Sequence, residues 1–201
     1  MLAIAGLKQN RVGEVILKIL FKKILTFLLL VIIIYIVLLY LYRNVFFPRK
    51  YRNIVEQACS IYNTDPNLIY AMMKQESGFN KNAISKSGAK GLMQIMNSTA
   101  KDMVIDIDSI DTDNYDIYDP YTNIFIGTKY MSYLINYFDG NYYLAITAYN
   151  AGMGKIEEWL DKPYNEYVDY NKIYNAIEYK ETRNYITNII SYYDVYTKLY
   201  D

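Results

Sequence analysis

Glu76 closes the run Pro66–Glu76, PNLIYAMMKQE, in which Ile69, Met72, Met73 and Glu76 fall at i, i+3, i+4 and i+7. On a helix that spacing sets a carboxylate on an apolar face. Ser77-Gly78 follows, and glycine is the usual residue just past a helix C-terminus. Two effects then act together: apolar neighbours and the negative end of the helix dipole both disfavour the ionised carboxylate. A glutamate held that way keeps its proton nearer neutrality, as a general acid must. The plainer alternative is a surface glutamate at a frayed helix end. Other machinery is excluded by composition. The chain has no histidine, which removes Ser-His-Asp and Cys-His catalysis and argues against zinc. The single cysteine, Cys59, has no histidine to activate it and reads as a small buried side chain. Catalysis therefore falls to carboxylates, hydroxyls, amides or lysines.

The elements that must position Glu76 are helical. Apolar residues recur at helical spacing near 53–62, 66–76, 96–103, 120–137, 141–150, 152–161 and 181–199, and no alternating strand is evident. Asp65-Pro66 and Asp119-Pro120 each supply an N-cap followed by proline in the first turn. The Asp- and Asn-rich tract 106–119 lacks the glycine and glutamate of a calcium loop and reads as a solvated acidic loop. Most of the 25 tyrosines read as core and surface residues of a composition-biased chain, and Trp159 as core.

Ahead of this globule lies Ile24–Tyr42, nineteen residues without a charge. As a helix it reaches about 28 Å, close to the thickness of a bilayer's hydrocarbon core. The run is longer than a signal peptide's apolar stretch and ends in Tyr40, Leu41, Tyr42 and Arg43, with no small-residue cleavage site. It reads as an uncleaved anchor. The expected division is a cytoplasmic segment 1–23, a transmembrane helix 24–42, a linker 43–52 and a domain 53–201. Five basic residues before the run (Lys8, Arg11, Lys18, Lys22, Lys23) against four after it (Arg43, Arg49, Lys50, Arg52) favour a cytoplasmic N-terminus by a narrow margin. Residues 1–52 hold nine of the 21 basic residues and one of the 21 acidic ones, Glu14; the remaining twelve and twenty give residues 53–201 a net charge of −8. Such a globule would repel a phosphate backbone, so nucleic acid is not an expected partner.

Four stretches occur in order: Glu76-Ser77-Gly78-Phe79-Asn80, Ala89–Met96 (AKGLMQIM), Ala148-Tyr149-Asn150-Ala151-Gly152, and Tyr179–Tyr185 (YKETRNY). Together they resemble the catalytic domain of the soluble lytic transglycosylases, a goose-lysozyme-like family, from about Asn53 to Tyr193. The resemblance implies an all-α, compact lysozyme-like domain after the transmembrane helix. It implies cleavage of peptidoglycan between N-acetylmuramic acid and N-acetylglucosamine with formation of 1,6-anhydromuramic ends, without cofactor or metal. By the same resemblance Glu76 is the single acid/base, Ser85 and Gln94 line the glycan groove, and Met96 packs against the sugar. Tyr149 stands near the scissile sugar, and Glu181 contacts substrate farther from the bond. Asn97 and Glu178 depart from the family pattern, which usually has proline at the first place and often at the second. Because glycan strands lie outside the membrane, the resemblance also implies a domain on the outer face. The implied partners are those strands and the bilayer, with cell-wall or secretion machinery as a further candidate. Two other readings stay open: hydrolysis of the same bond as in goose-type lysozyme, for which Asp102, Asp106 and Asp108 are candidate second acids, and a catalytically weak wall-binding scaffold.

Overall fold

A computed structural model of the chain describes residues 2–160 and 168–200, with side chains from residue 17 on. Asp161, the last position of the expected 152–161 helix, lies outside the described residues, as do the side chains of Lys8, Arg11 and Glu14. The chain divides into two compact units, one ending at Pro48 and one beginning at Arg49.

The first unit is a single long helix, α1 (Leu2–Leu41), continued by a π-helical turn over Tyr42–Phe46. Every side chain from Leu17 to Phe46 is exposed. Within it, Leu17–Phe46 is long and apolar enough, by length and composition, to cross a membrane. The expected span 24–42 sits inside this helix, which extends beyond the apolar run at both ends.

The second unit is all-α, as expected. Its helices are α2 (Arg52–Tyr62), α3 (Pro66–Ser77), α4 (Asn97–Val104), α5 (Pro120–Tyr137), α6 (Tyr142–Ala151), α7 (Met153–Trp159), α8 (Tyr170–Ala176) and α9 (Lys180–Tyr200). No strand forms among the described residues; two isolated bridges, Ile84 to Lys90 and Lys90 to Ile95, fold the segment between α3 and α4 back on itself. Helix α8 was not foreseen. It is seven residues long and buries only Ile173, too little apolar periodicity to register.

Helix α3 is the axis of the unit. Asn67 through Met73 are all buried, so the helix is covered on every side rather than along one stripe. It packs chiefly on α9, α2 packs on α5, and α6 bridges α5 and α9. Both expected caps form: Asp65 accepts from the Asn67 amide at 2.8 Å and Asp119 from the Thr122 amide at 3.0 Å. At its far end α3 stops at Gly78, whose left-handed φ of 56° lets the Gly78 and Phe79 amides fold back onto the carbonyls of Lys74 and Met73. That stop leaves Glu76 in the last turn.

Candidate active site

Glu76 is half-buried at the C-terminal end of α3, above the fully buried Ile69, Met72 and Met73. The Tyr185 hydroxyl on α9 donates to its Oε1 at 2.5 Å. Burial pushes the carboxyl up to about 7, and the Tyr185 hydrogen bond pulls the other way. With Oε1 accepting from Tyr185, Oε2 is the oxygen left to carry an acidic proton. Burial, first, and the nearby Glu76 hold both Tyr185 and Tyr149 well above the usual phenol range, so both remain neutral donors.

The loop following α3 is fixed from three helices at once. Ser77 Oγ on α3 donates to the Leu92 carbonyl at 2.8 Å. The Tyr149 hydroxyl on α6 donates to the Met93 carbonyl at 2.9 Å. Asn123 on α5 accepts from the Met93 amide at 2.8 Å and donates to the carbonyls of Lys90 and Ile117 at 3.0 and 2.9 Å. Gly91 is required here: its φ is +78°, and a Cβ would stand 2.2 Å from the Asn123 amide nitrogen. Gly127, one turn along α5 from Asn123, leaves room for Met93, whose sulfur would lie 2.4 Å from a Cβ there. The result is a rigid floor beside the carboxyl.

The remaining expected site residues distribute unevenly. Gln94, Met96 and Tyr149 line one cavity of about 240 Å³ together with Thr99, Tyr130 and Asn150. Gln94 spends its Nε2 on the carbonyls of Ala83 and Gly91, at 3.2 and 2.9 Å, leaving Oε1 as the end free for a ligand. Met96, at 41% exposure, presents its side chain openly at the N-cap of α4. Tyr149 stacks obliquely on Tyr130, with ring centres 5.2 Å apart. Ser85 is outside that cavity; its hydroxyl accepts from the Ala89 amide at 3.0 Å and braces the turn between the bridges. Glu181 is exposed in the first turn of α9. It lies four residues before Tyr185 and so on the same side of the helix, about 6 Å along its axis.

Tyr185, Ser77, Asn123 and Tyr130 received no role from sequence. Tyr185 lies inside one of the four recognised stretches, and only the contact across 109 positions reveals what it touches. Asp102, Asp106 and Asp108 are exposed, and among the described residues no neighbouring charge contributes to the shift at Glu76.

The family model described as transglycosylase SLT domain matches residues 53–172. The chain belongs to this family. The chain is 33% identical over 156 residues to the soluble lytic murein transglycosylase of Escherichia coli strain K12, covering 77% of this chain and 24% of that protein. It is 40% identical over 116 residues to the membrane-bound lytic murein transglycosylase C of Edwardsiella ictaluri, covering 53% of this chain and 32% of that one. Among solved structures, an inactive Glu-to-Gln mutant of the lytic transglycosylase Slt from Pseudomonas aeruginosa superimposes with a TM-score of 0.69 at 32% identity, over 76% of this chain and 24% of that one. The chain thus spans about a quarter to a third of the length of these relatives. The SLT domain has the expected lysozyme-like helical fold. Its two departures from the family pattern fall where a proline would be structural: Asn97 is the first residue of α4, and Glu178 lies in the loop between α8 and α9.

Proposed function

We propose that this SLT domain cleaves the β-1,4 bond between N-acetylmuramic acid and N-acetylglucosamine in peptidoglycan, with Glu76 as the single general acid/base, and leaves 1,6-anhydromuramic ends. The observation that carries the reading is a half-buried carboxyl seated above buried Ile69, Met72 and Met73 and held by Tyr185 at 2.5 Å, which burial raises to about 7 and to whose shift no second acid among the described residues contributes. Most glycosidases need two carboxylates flanking the bond. A mechanism whose nucleophile belongs to the substrate needs one. Glu76 Oε2 donates its proton to the glycosidic oxygen as the bond to the muramic C1 breaks, and the N-acetylglucosamine hydroxyl departs. The positive charge at C1 is relieved by the 2-acetamido group. The Glu76 carboxylate then takes the proton of the C6 hydroxyl, which attacks C1 and closes the anhydro ring, regenerating the acid. Ring proximity supplies the effective concentration of that hydroxyl. Gln94, Met96 and Tyr149 are assigned to holding the sugar in the groove, and Ser85 and Glu181 to more distant contacts along the strand. The inactivation of the Pseudomonas relative by one Glu-to-Gln change is in keeping with reliance on a single glutamate.

The apolar run Ile24–Tyr42, within the helical segment Leu17–Phe46, is assigned as a single-pass anchor, with the N-terminus cytoplasmic and the domain on the cell-wall face, where glycan strands are found. Few residues then separate membrane and domain, so cleavage is confined to some tens of ångströms from the bilayer. Mass spectrometry of digested sacculi tests the function. Anhydro-muropeptides from wild type, and none after Glu76→Gln, support it. Reducing ends in place of anhydro ends establish lysozyme-type hydrolysis, and lysis that survives Glu76→Gln refutes every reading built on that residue.

A further inference from the structure

Two cavities lie away from Glu76, at the other end of the same three helices. The larger, about 520 Å³, has a floor of Leu68 on α3, Ile146 on α6 and Ile190 on α9, and walls of Tyr142, Tyr143 and Tyr193. The second, about 490 Å³, shares Tyr143 and Ile190 with it and continues past Tyr170. Counted along the helices, Leu68 and Tyr193 each stand eight residues, about 12 Å, from Glu76 and Tyr185. Each cavity has the volume of a site for a molecule the size of one or two sugar rings.

The lining selects the ligand's chemistry. Tyr142, Tyr143 and Tyr193 are 44%, 38% and 36% exposed, so three open aromatic faces meet at one cavity. Tyr143 continues onto Tyr170 and Tyr174, with successive ring centres 5.6 Å apart. Aromatic faces are electron-rich and attract the C–H faces of a sugar ring; the hydroxyls of Tyr193 and Tyr170 are engaged with Asp65 and Thr187, which leaves those of Tyr142 and Tyr143 to serve sugar hydroxyls. Among the described residues no basic side chain lines either cavity. The nearby carboxylates are largely committed: Asp65 and Asp169 cap helices α3 and α8, and Asp194 pairs with Lys198. Only Asp139 at the rim of the larger cavity has no partner among the described residues, so a neutral ligand rich in hydroxyls fits better than a cation.

We propose that this tyrosine-walled groove is a second glycan-binding site, taking neutral N-acetylated sugar residues of a strand whose scissile bond lies at Glu76 or of a neighbouring strand. The identity of the sugar rests on the function proposed above; the existence of the site does not. The test is calorimetric titration of the full chain in detergent, carrying Glu76→Gln to prevent turnover, with tetra-N-acetylchitotetraose as probe. Two binding events are expected. Tyr143→Ala weakens one of them about fivefold, the loss of a single aromatic contact, and leaves the other untouched. Ile190→Trp, which fills both cavities without removing a tyrosine, abolishes the same event. In an otherwise wild-type chain these variants keep kcat on short soluble glycans and raise KM on intact sacculi. A single binding event, or two that neither variant alters, overturns the proposal. The transglycosylase reading can fail by its products while the Tyr143-dependent event persists, so the two failures are distinguishable.

Discussion

Helix α9 sets two tyrosine hydroxyls against two carboxylates at opposite ends of α3. Tyr193 donates to Asp65 Oδ2 at 2.6 Å, and Tyr185 donates to Glu76 Oε1 at 2.5 Å. The bonds are nearly the same; the surroundings are not. Asp65 is the N-cap of α3 and accepts from the Asn67 amide with its other oxygen, Oδ1, at 2.8 Å. Its bond to Tyr193 is the main cause that drives that phenol up to about 12, and the pair acts as a clasp between helices. Glu76 stands at the negative end of the same helix among buried methionine and isoleucine, and burial lifts it to about 7. One interaction type thus makes a structural tie at one end and a proton carrier at the other, and desolvation is what separates them.

The comparison can be broken first at Glu76 itself. Glu76→Gln should lower turnover on purified sacculi by about a thousandfold while leaving circular dichroism unchanged. Next in size is the floor beside Glu76 that α3, α5 and α6 support. Asn123→Ala removes three hydrogen bonds and strands the Met93 amide, which should cost about 2–3 kcal/mol in denaturant unfolding. The third test is thermodynamic. The folded chain holds the Glu76 proton more tightly than the unfolded chain, so stability falls as pH rises from about 4.5 through about 7 and is level above. Glu76→Gln lacks this loss and should be more stable than wild type by about 2 kcal/mol at pH 8, after allowance for partial exposure, and by much less at pH 5. Urea melts of both proteins at the two pH values measure it.

The smallest effects separate the two tyrosines. Tyr185→Phe removes the bond that pulls the Glu76 carboxyl down, so the alkaline limb of the kcat/KM profile should move upward by about half a unit. Tyr193→Phe should leave that profile in place and lower stability by about 1 kcal/mol. Equal movement of both profiles would erase the distinction between clasp and proton carrier.

How far the sequence could be read follows the range of the interactions. Asp65-Pro66 and Asp119-Pro120 start helices as read because a cap and its amide are two or three residues apart. The apolar face under Glu76 was legible for the same reason: Ile69, Met72 and Met73 are within two turns. Burial was therefore foreseen as a cause of the raised carboxyl; the opposing hydroxyl of Tyr185 was not, because only the packing of α3 on α9 brings it there. Asn123 was invisible for a like reason, since an asparagine in an apolar helix carries no mark of the loop it will hold. The family resemblance implies groove-lining side chains at Ser85 and Gln94, and their backbone hydrogen bonds add a bracing role that a motif match does not reveal. The tyrosines went largely unassigned, because abundance hides the few whose faces stay open.

The central claim is that the Glu76 carboxyl keeps its proton to near neutrality. Infrared difference spectra of wild type minus Glu76→Gln, recorded across pH in the folded full chain, isolate that one group. A protonated carboxyl band lost with a midpoint near 7 is the predicted result. A midpoint at the ordinary glutamate value, near 4.5, would contradict the account.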